Sequence, residues 1–537
     1  MEKQWWHNKV VYQIYPKSFN DTTGNGIGDL DGIIEKLEYL CFLGVDILWL
    51  SPVYKSPMKD NGYDISHYQK IDPVFGSLED MKRLIKEAKK HDIDIIMDLV
   101  INHTSDQHPW FLDAKKAKNS QYRDYYIWRD HPTDMDSVFG GSAWTYDETT
   151  DQHYFHLFTE EQPDLNWDNK AMRKDIYKMI NWWLEKGIKG FRLDVIELIG
   201  KEVDKGITSN GPKLHSRLQK LTKKTFEQYN AFTVGETWSA SIDDALLYTD
   251  PKRHELSTIF QFEHITLNWD KAFNKFKTTP LDRKALKEVL YKWQTSLPDN
   301  AWNSLFFNNH DLGRVNSRWG NDGIYNDKCT KAFVTVLHLM KGIPFIYQGE
   351  EIGMTNVKYQ HIDDYNDIEI HNRYHEYVVE RQVMSQHDFM SQVYLNGRDN
   401  ARTPMQWNKS NNGGFSTGTP WLRPNSNYLF INVDDNLKNK DSVFYHYQHL
   451  INLRHGKSYG NTIVYGAFIP RDTTYDNLFL FERHYEDKRL LVAVNLGESS
   501  VSFKWDKNVD DILINTGKID YFKSVTLNAY DSLVFSY

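Results

Sequence analysis

Three carboxylates stand where short apolar runs end: Asp194 in Gly190-Phe191-Arg192-Leu193-Asp194-Val195, Glu236 in Val234-Gly235-Glu236-Thr237-Trp238, and Asp311 in Asn308-Asn309-His310-Asp311. On a strand, residues i and i+2 emerge on one side. Arg192 therefore stands beside Asp194 and favours its ionised form, as a nucleophile requires. Glu236 has no adjacent cation in sequence and an indole, Trp238, close by, which suits a carboxyl of raised pKa in an acid role. Two carboxylates about 5–5.5 Å apart perform retaining glycoside hydrolysis, one attacking and the other protonating the leaving oxygen. Asp311, beside His310, would hold sugar hydroxyls and favour a distorted ring. Arg192 and Asp194 alone are explained equally well as a strand-end ion pair. Three such ends in one predicted context are harder to ascribe to chance.

The elements that must position these groups follow a βαβ rhythm. Apolar strands are predicted at 10–16, 45–50, 93–100, 190–194, 232–236, 258–263, 304–311 and 344–350, with helices at 30–43 and 78–90. Eight parallel strands covered by helices close a (β/α)8 barrel, whose functional groups sit at the C-terminal strand ends. Reading those ends adds Asp98, Asn102 and His103, then Gln348 and Glu350. Residues 104–167, rich in His, Asp, Trp and Tyr, are too long for one crossover helix and read as a lid domain inserted after strand 3. Residues 1–103 and 168–464 then form the barrel. Past 465 the pattern turns to short alternating strands, an antiparallel β-sandwich over 465–537.

Composition bounds the partners. The 537 residues are 40% hydrophobic and 26% charged, which describes a soluble globular chain. The net charge of −9, with no basic block, argues against nucleic acid. Cys41 and Cys329 are the only cysteines and suggest neither a disulfide framework nor a zinc site. No signal peptide is recognised at the N-terminus, and no run approaches the ~18 apolar residues of a membrane span. A cytoplasmic monomer that does not bind membranes is expected.

The order of motifs resembles glycoside hydrolase family 13, the α-amylase family, and within it the oligo-1,6-glucosidase and dextran glucosidase group. The matching stretches are Asp98-Leu99-Val100-Ile101-Asn102-His103, Gln162-Pro163-Asp164-Leu165-Asn166-Trp167, Gly190 to Val195, Val234 to Thr237, Asn308 to Asp311, and Ala401-Arg402-Thr403-Pro404-Met405-Gln406-Trp407. The resemblance implies Asp194 as nucleophile, Glu236 as acid/base and Asp311 as transition-state stabiliser. It further implies Asp60, Tyr63, His103, Arg192, His310 and Arg402 around the non-reducing glucose. Val195 looks like the α-1,6-acting members; its bulk without a hydroxyl would disfavour a 1,4-linked aglycone. Trp238 would form an aglycone platform, and Glu369 would bind the next glucose.

The expected activity is exo-acting, retaining α-1,6-glucosidase action on small oligosaccharides such as isomaltooligosaccharides, panose and dextran fragments. No catalytic cofactor is expected. The loop Asp21, Thr23, Asn25, Ile27 (carbonyl) and Asp29 resembles the front of an EF-hand without its bidentate acid, so a structural Ca2+ is expected there, with a metal-free turn as the rival. The alternatives are trehalose-6-phosphate hydrolysis, with Lys271 and Lys275 as phosphate partners, sucrose isomerisation, and a catalytically inactive sugar-binding relative.

Overall fold

The computed structural model describes residues 2–517 and 523–537. Eight buried parallel strands form one sheet: β1 (Val11–Ile14), β2 (Ile47–Leu50), β3 (Asp94–Leu99), β4 (Gly190–Leu193), β5 (Phe232–Thr237), β6 (Thr258–Gln261), β7 (Ser304–Leu305) and β8 (Ile343–Tyr347). The strands from β1 to β6 pair in sequence, while β8 pairs with the other side of β1 and carries β7 outside it. The ring closes between β6 and β7 at one parallel bridge, Ile259 to Asn303. There the Thr258 hydroxyl donates to the Trp302 carbonyl at 2.9 Å. Strands covered on both faces need side chains apolar in both directions, and the Ile, Leu and Val runs supply them. Aromatic rings fill the barrel, with Phe260 4.6 Å from Phe345 and 5.6 Å from Trp49 between centroids.

Most strands are shorter than their apolar patterns suggest, and at β6 and β7 a side chain turns the chain out of the ladder. After β7, Asn309 Oδ1 accepts the Asp311 N–H at 2.8 Å. After β6, Gln261 Oε1 accepts the Glu263 N–H at 2.9 Å. Such local bonds compete with sheet pairing. They leave the Asn308–Asp311 run free as a loop on the functional rim. The helix predicted over 30–43 is two helices, Leu30–Glu35 and Leu37–Leu43.

Between β3 and β4 a three-stranded antiparallel sheet (Trp128–Arg129, Gln152–Phe155, Trp144–Asp147) stands over the C-terminal rim. Single bridges, His103 to Asp164 and Tyr126 to Leu165, fasten its base. At the C-terminus, a five-stranded antiparallel sheet faces the two-stranded sheet Val501–Trp505 and Lys523–Leu527. Along Leu478–Tyr485 the side chains alternate. Leu478 and Leu480 pack inside this sandwich, whereas Phe479 and Phe481 join the barrel's core.

Candidate active site

Strand register brings the acids together. Arg192 of β4 lies opposite Asp98 of β3 and Val234 of β5, so one buried guanidinium meets carboxyls from three adjacent strands. Its Nη1 stands 2.8 Å from Asp98 Oδ1 and 2.6 Å from Asp194 Oδ1, and its Nη2 2.6 Å from Glu236 Oε2. Glu236 thus shares the cation that the sequence pattern assigned to Asp194 alone, because the strand register is not visible in a linear motif. Burial pushes Asp194 well above the usual carboxylate range against the pull of Arg192, and Glu236 and Asp98 push the same way. Burial likewise carries Asp98 up to about 6 despite Arg192. Arg192, which the sequence pattern places beside Asp194, thus faces three buried acids.

Val195 follows Asp194 with φ 35° and ψ 45°. A β-branched residue in the left-handed region costs on the order of 1–3 kcal/mol and persists only where its surroundings impose it. Its N–H donates to Glu236 Oε2 at 2.9 Å. The other oxygen, Oε1, accepts the Trp238 indole N–H at 3.0 Å. Trp238 has one face stacked on Phe262, with centroids 3.7 Å apart.

The opposite wall is built on Asp311. Arg402 Nη2 donates to its Oδ1 at 2.7 Å, Arg398 Nη1 lies 3.6 Å from the same oxygen, and His310 Nε2 lies 3.1 Å from Oδ2. Burial would raise Asp311, but His310, Arg402 and Arg398 hold it far below the usual range. His310 is pushed down to about 3 by burial, with Arg192 and the two other arginines adding to the effect against Asp311. Its ring is stacked parallel to Tyr63 at 5.3 Å, with Nε2 2.7 Å from the Tyr63 hydroxyl. The same hydroxyl donates to Asp98 Oδ2 at 3.0 Å, which joins the two walls. Arg398 also lies 3.6 Å from Asp60, is bidentate on Asp367 and stands 3.5 Å from Glu369.

A cavity of ≈ 990 Å³ lies between these walls and is lined by Asp60, Tyr63, His103, Asp194, Val195, Glu236, Trp238, Asp311 and Glu369 among others. Arg192, His310 and Arg402 stand behind the wall, each 1% exposed. They orient carboxylates rather than forming the cavity surface. Glu369 is engaged by Lys275 at 2.6 Å. His103 is fixed through Nε2, 3.1 Å from the Tyr63 carbonyl and 3.2 Å from Gln162 Nε2, and Gln162 also donates to Asp60 at 3.2 Å. A second cavity, ≈ 610 Å³ on the seam between lid and barrel, contains none of the three predicted catalytic carboxylates.

Arg398 and Lys201 carry roles that the sequence reading missed. Lys201 Nζ lies 2.7 Å from Asp164 Oδ2 and 2.6 Å from Asn102 Oδ1, so a buried ammonium joins the base of the lid to the end of β3. The only sequence signal was a lysine seven residues after Asp194. Arg398 lies four residues before Arg402, just outside the motif that was read.

The expected Ca2+ loop spends its oxygens internally. Asp21 Oδ1 accepts the N–H groups of Thr23 and Gly24, both at 2.9 Å, and Oδ2 accepts Gly26 N–H at 2.7 Å and the Ser416 hydroxyl at 2.6 Å. Asp29 takes the Thr22 and Gly32 N–H groups at 2.8 and 2.6 Å, and Asn25 takes that of Ile27 at 2.8 Å. The loop as folded is a self-satisfied turn. Only two of its five residues are carboxylates, and none takes the place of the bidentate acid of an EF-hand.

Residues 13–466 match the family model described as alpha amylase, catalytic domain. The chain is 50% identical to a glucan 1,6-alpha-glucosidase of Streptococcus pneumoniae, over 99% of each chain. It is 49% identical to an oligo-1,6-glucosidase of Heyndrickxia coagulans, over 93% of each. Among solved structures, the trehalose-6-phosphate hydrolase of Bacillus licheniformis superposes with a TM-score of 0.93 at 40% identity, covering 99% of this chain and all of that one.

Proposed function

The chain belongs to the α-amylase family of glycoside hydrolases, and from that premise we propose that it is an exo-acting, retaining glucan 1,6-α-glucosidase that removes glucose from non-reducing ends of small α-1,6-linked oligosaccharides. The observation that carries this reading is the convergence of Asp194 and Glu236 on one guanidinium with Asp311 across the cavity. Asp194 attacks the anomeric carbon while Glu236 protonates the departing oxygen. Glu236 then takes a proton from water, which releases the glucosyl group from Asp194 with its α configuration retained. Asp311, kept anionic by its arginines, holds ring hydroxyls as charge develops at the anomeric carbon. Sugar hydroxyls can replace water and give some transglucosylation. The chemistry uses no cofactor. The Asp21 to Asp29 loop is read as the metal-free rival of the Ca2+ site. Two free cysteines, Cys41 exposed and Cys329 buried, suit the reducing cytoplasm, where we place the chain as a monomer. Among the described residues, no helix is long and apolar enough to cross a membrane.

Trehalose-6-phosphate hydrolysis is the second reading, favoured by the structural likeness. Eight carboxyl side chains and three Lys or Arg line the cavity, and Lys275, one of the two phosphate-binding candidates, is already paired with Glu369. Such a wall disfavours a phosphate dianion and suits a neutral glucose. The catalytic roles are tested by substitution. Asp194→Asn should lower kcat by at least about 10³-fold. Glu236→Gln should damage isomaltotriose hydrolysis far more than that of an activated aryl α-glucoside, whose leaving group needs no proton. Equal losses on both substrates would remove Glu236 from the acid role. Proton NMR of the first glucose released should show the α anomer.

A further inference from the structure

The ≈ 610 Å³ cavity on the seam between lid and barrel takes no part in the chemistry above, and its walls carry the opposite charge from those of the catalytic cavity. Seven Lys or Arg and four Asp or Glu line it, against three and eight in the catalytic cavity, in a chain of net charge −9. The cations come from both sides of the seam. Lys118, Arg123 and Arg129 belong to the lid, whereas Lys201, Lys205, Lys213 and Arg217 follow β4 on the barrel. Like charges that face one another across a seam favour its opening unless an anion lies between them.

The acids of the wall leave part of this charge unmatched. Arg129 takes both oxygens of Asp204, at 2.7 and 2.6 Å, and Lys205 takes Glu202 at 2.6 Å. Lys213 and Arg217 share one oxygen, Asp168 Oδ1, each at 2.7 Å. Asp124, the fourth acid, is exposed. Lys118 comes no closer than 3.7 Å to Asp130. Arg123 is only 5% exposed, and among the described residues no carboxylate pairs with it. Its guanidinium donates to neutral oxygens, those of the Ala114 carbonyl, the Thr150 hydroxyl and the Gln152 amide, and Trp128 covers one face at 3.4 Å. A buried guanidinium without a carboxylate partner is costly, and an anion that reaches it relieves the cost.

We propose that this seam cavity binds a small phosphate-bearing solute, inorganic phosphate or a sugar phosphate, and that the bound phosphate ties the lid to the barrel. A phosphate presents oxygens in every direction and can meet cations on both walls at once, whereas a carboxylate presents two oxygens on one side. The volume leaves room for a hexose beside the phosphate. The tie reaches the catalytic cavity by two routes. Lys201 lines the seam cavity and holds Asn102 Oδ1 at 2.6 Å, and the Asn102 amide stands 3.2 Å from Nδ1 of His103 on the catalytic wall. Residues 202–205 line the seam cavity, while Gly206, Thr208 and Ser209 of the same loop line the catalytic one. The loop doubles back between them through the bridge of Glu202 to Ile207, with Gly206 at φ 69°. One thin partition therefore has the phosphate on one side and the substrate on the other.

Calorimetric titration with inorganic phosphate and with glucose 6-phosphate, near pH 7.5 where a phosphate monoester is mostly dianionic, should give a Kd of about 1 mM or tighter. Equal affinities assign recognition to the phosphate alone, and tighter binding of glucose 6-phosphate adds the sugar. No saturable binding of either overturns the proposal. Arg123→Gln should weaken binding by about tenfold or more. Because that change also disturbs the packing on Trp128, Lys205→Ser combined with Lys213→Ser, which alters exposed side chains, should weaken it to a similar degree. Binding kept in both overturns the proposal; its loss in Lys275→Ala would then place the phosphate in the catalytic cavity and strengthen the second reading of function. Only the closed seam brings both sets of cations to one anion, so phosphate at about ten times its Kd should slow hydrogen exchange of the lid about tenfold. The probe is the Phe155 N–H, which donates to the carbonyl of Ile127 on the cavity wall at 2.9 Å. Unchanged exchange at saturating phosphate overturns the tie.

Discussion

Replacing Lys201 by Met should loosen the lid and weaken substrate binding together. The ammonium and its partner Asp164 are almost fully buried, with side chains 3% and 0% exposed, and they meet at 2.7 Å. Removing one member of such a pair leaves an uncompensated charge and costs about 3–5 kcal/mol. Asp164 keeps donors from the Asn102 amide at 3.2 Å and the Leu157 N–H at 3.0 Å, which places the loss near the lower end, about 3 kcal/mol. Asp164→Asn in the same chain removes the stranded charge, so the double variant should recover about 2 kcal/mol as coupling. The functional effect runs through Asn102, which Lys201 holds at 2.6 Å and whose amide stands 3.2 Å from His103 Nδ1 on the cavity wall. KM for isomaltotriose should rise more than kcat falls. The assay is hydrogen exchange at the Leu157 amide, which reads local opening of the lid without assuming two-state unfolding of a multi-part chain. A loss below about 1 kcal/mol with unchanged KM would refute the argument, since a buried charge cannot be stranded that cheaply.

Other outcomes follow from single features. Burial pushes Glu350 up to about 7 although Asn308 and Tyr447 donate to it. Its native pKa is above the unfolded value, so its contribution is full below about pH 4.3 and is lost as pH rises through 7, a difference of about 4 kcal/mol. Glu350→Gln should flatten that part of the stability profile measured by urea unfolding between pH 5 and 8, and an unchanged slope would contradict the assignment. Melting temperatures in millimolar Ca2+ and in excess EGTA should agree within about 1 °C; an ion bound a thousandfold below its concentration would add about 4 kcal/mol and separate them. Val195→Thr should raise kcat/KM for maltotriose relative to isomaltotriose by about tenfold, roughly 1.4 kcal/mol in transition-state discrimination.

The parts legible in the sequence are those written in local periodicity. Apolar runs gave the eight strands, and the carboxylates at their ends gave the acids, because i and i+2 on a strand need no tertiary knowledge. The family motifs then pointed to Asp60, Tyr63 and His103, which the structure brings onto one cavity. What escaped was set between strands. That Arg192 reaches Asp98 and Glu236 as well as Asp194 depends on register, which no single strand encodes. Lys201 and Arg398 have roles set by their burial and their partners Asp164 and Asp367, which their positions in the sequence do not show. The Asp21 to Asp29 loop has the alternating oxygens of a cation site, yet the same oxygens also satisfy a tight turn's N–H groups, and the sequence cannot say which donors they face. Val195 in a left-handed conformation runs against every propensity of a β-branched residue, as happens where the surrounding fold imposes strain.

The central claim is α-1,6 cleavage of neutral glucosaccharides in a cavity whose Lys275 is already neutralised by Glu369. It is tested most directly by kcat/KM for isomaltotriose, maltotriose and trehalose-6-phosphate measured in parallel with glucose release. The account predicts isomaltotriose ahead of both by at least about tenfold, or 1.4 kcal/mol. A lead for trehalose-6-phosphate would contradict it, and would mean that the acidic wall meets a phosphate through cations this reading assigns to Glu369 and the solvent.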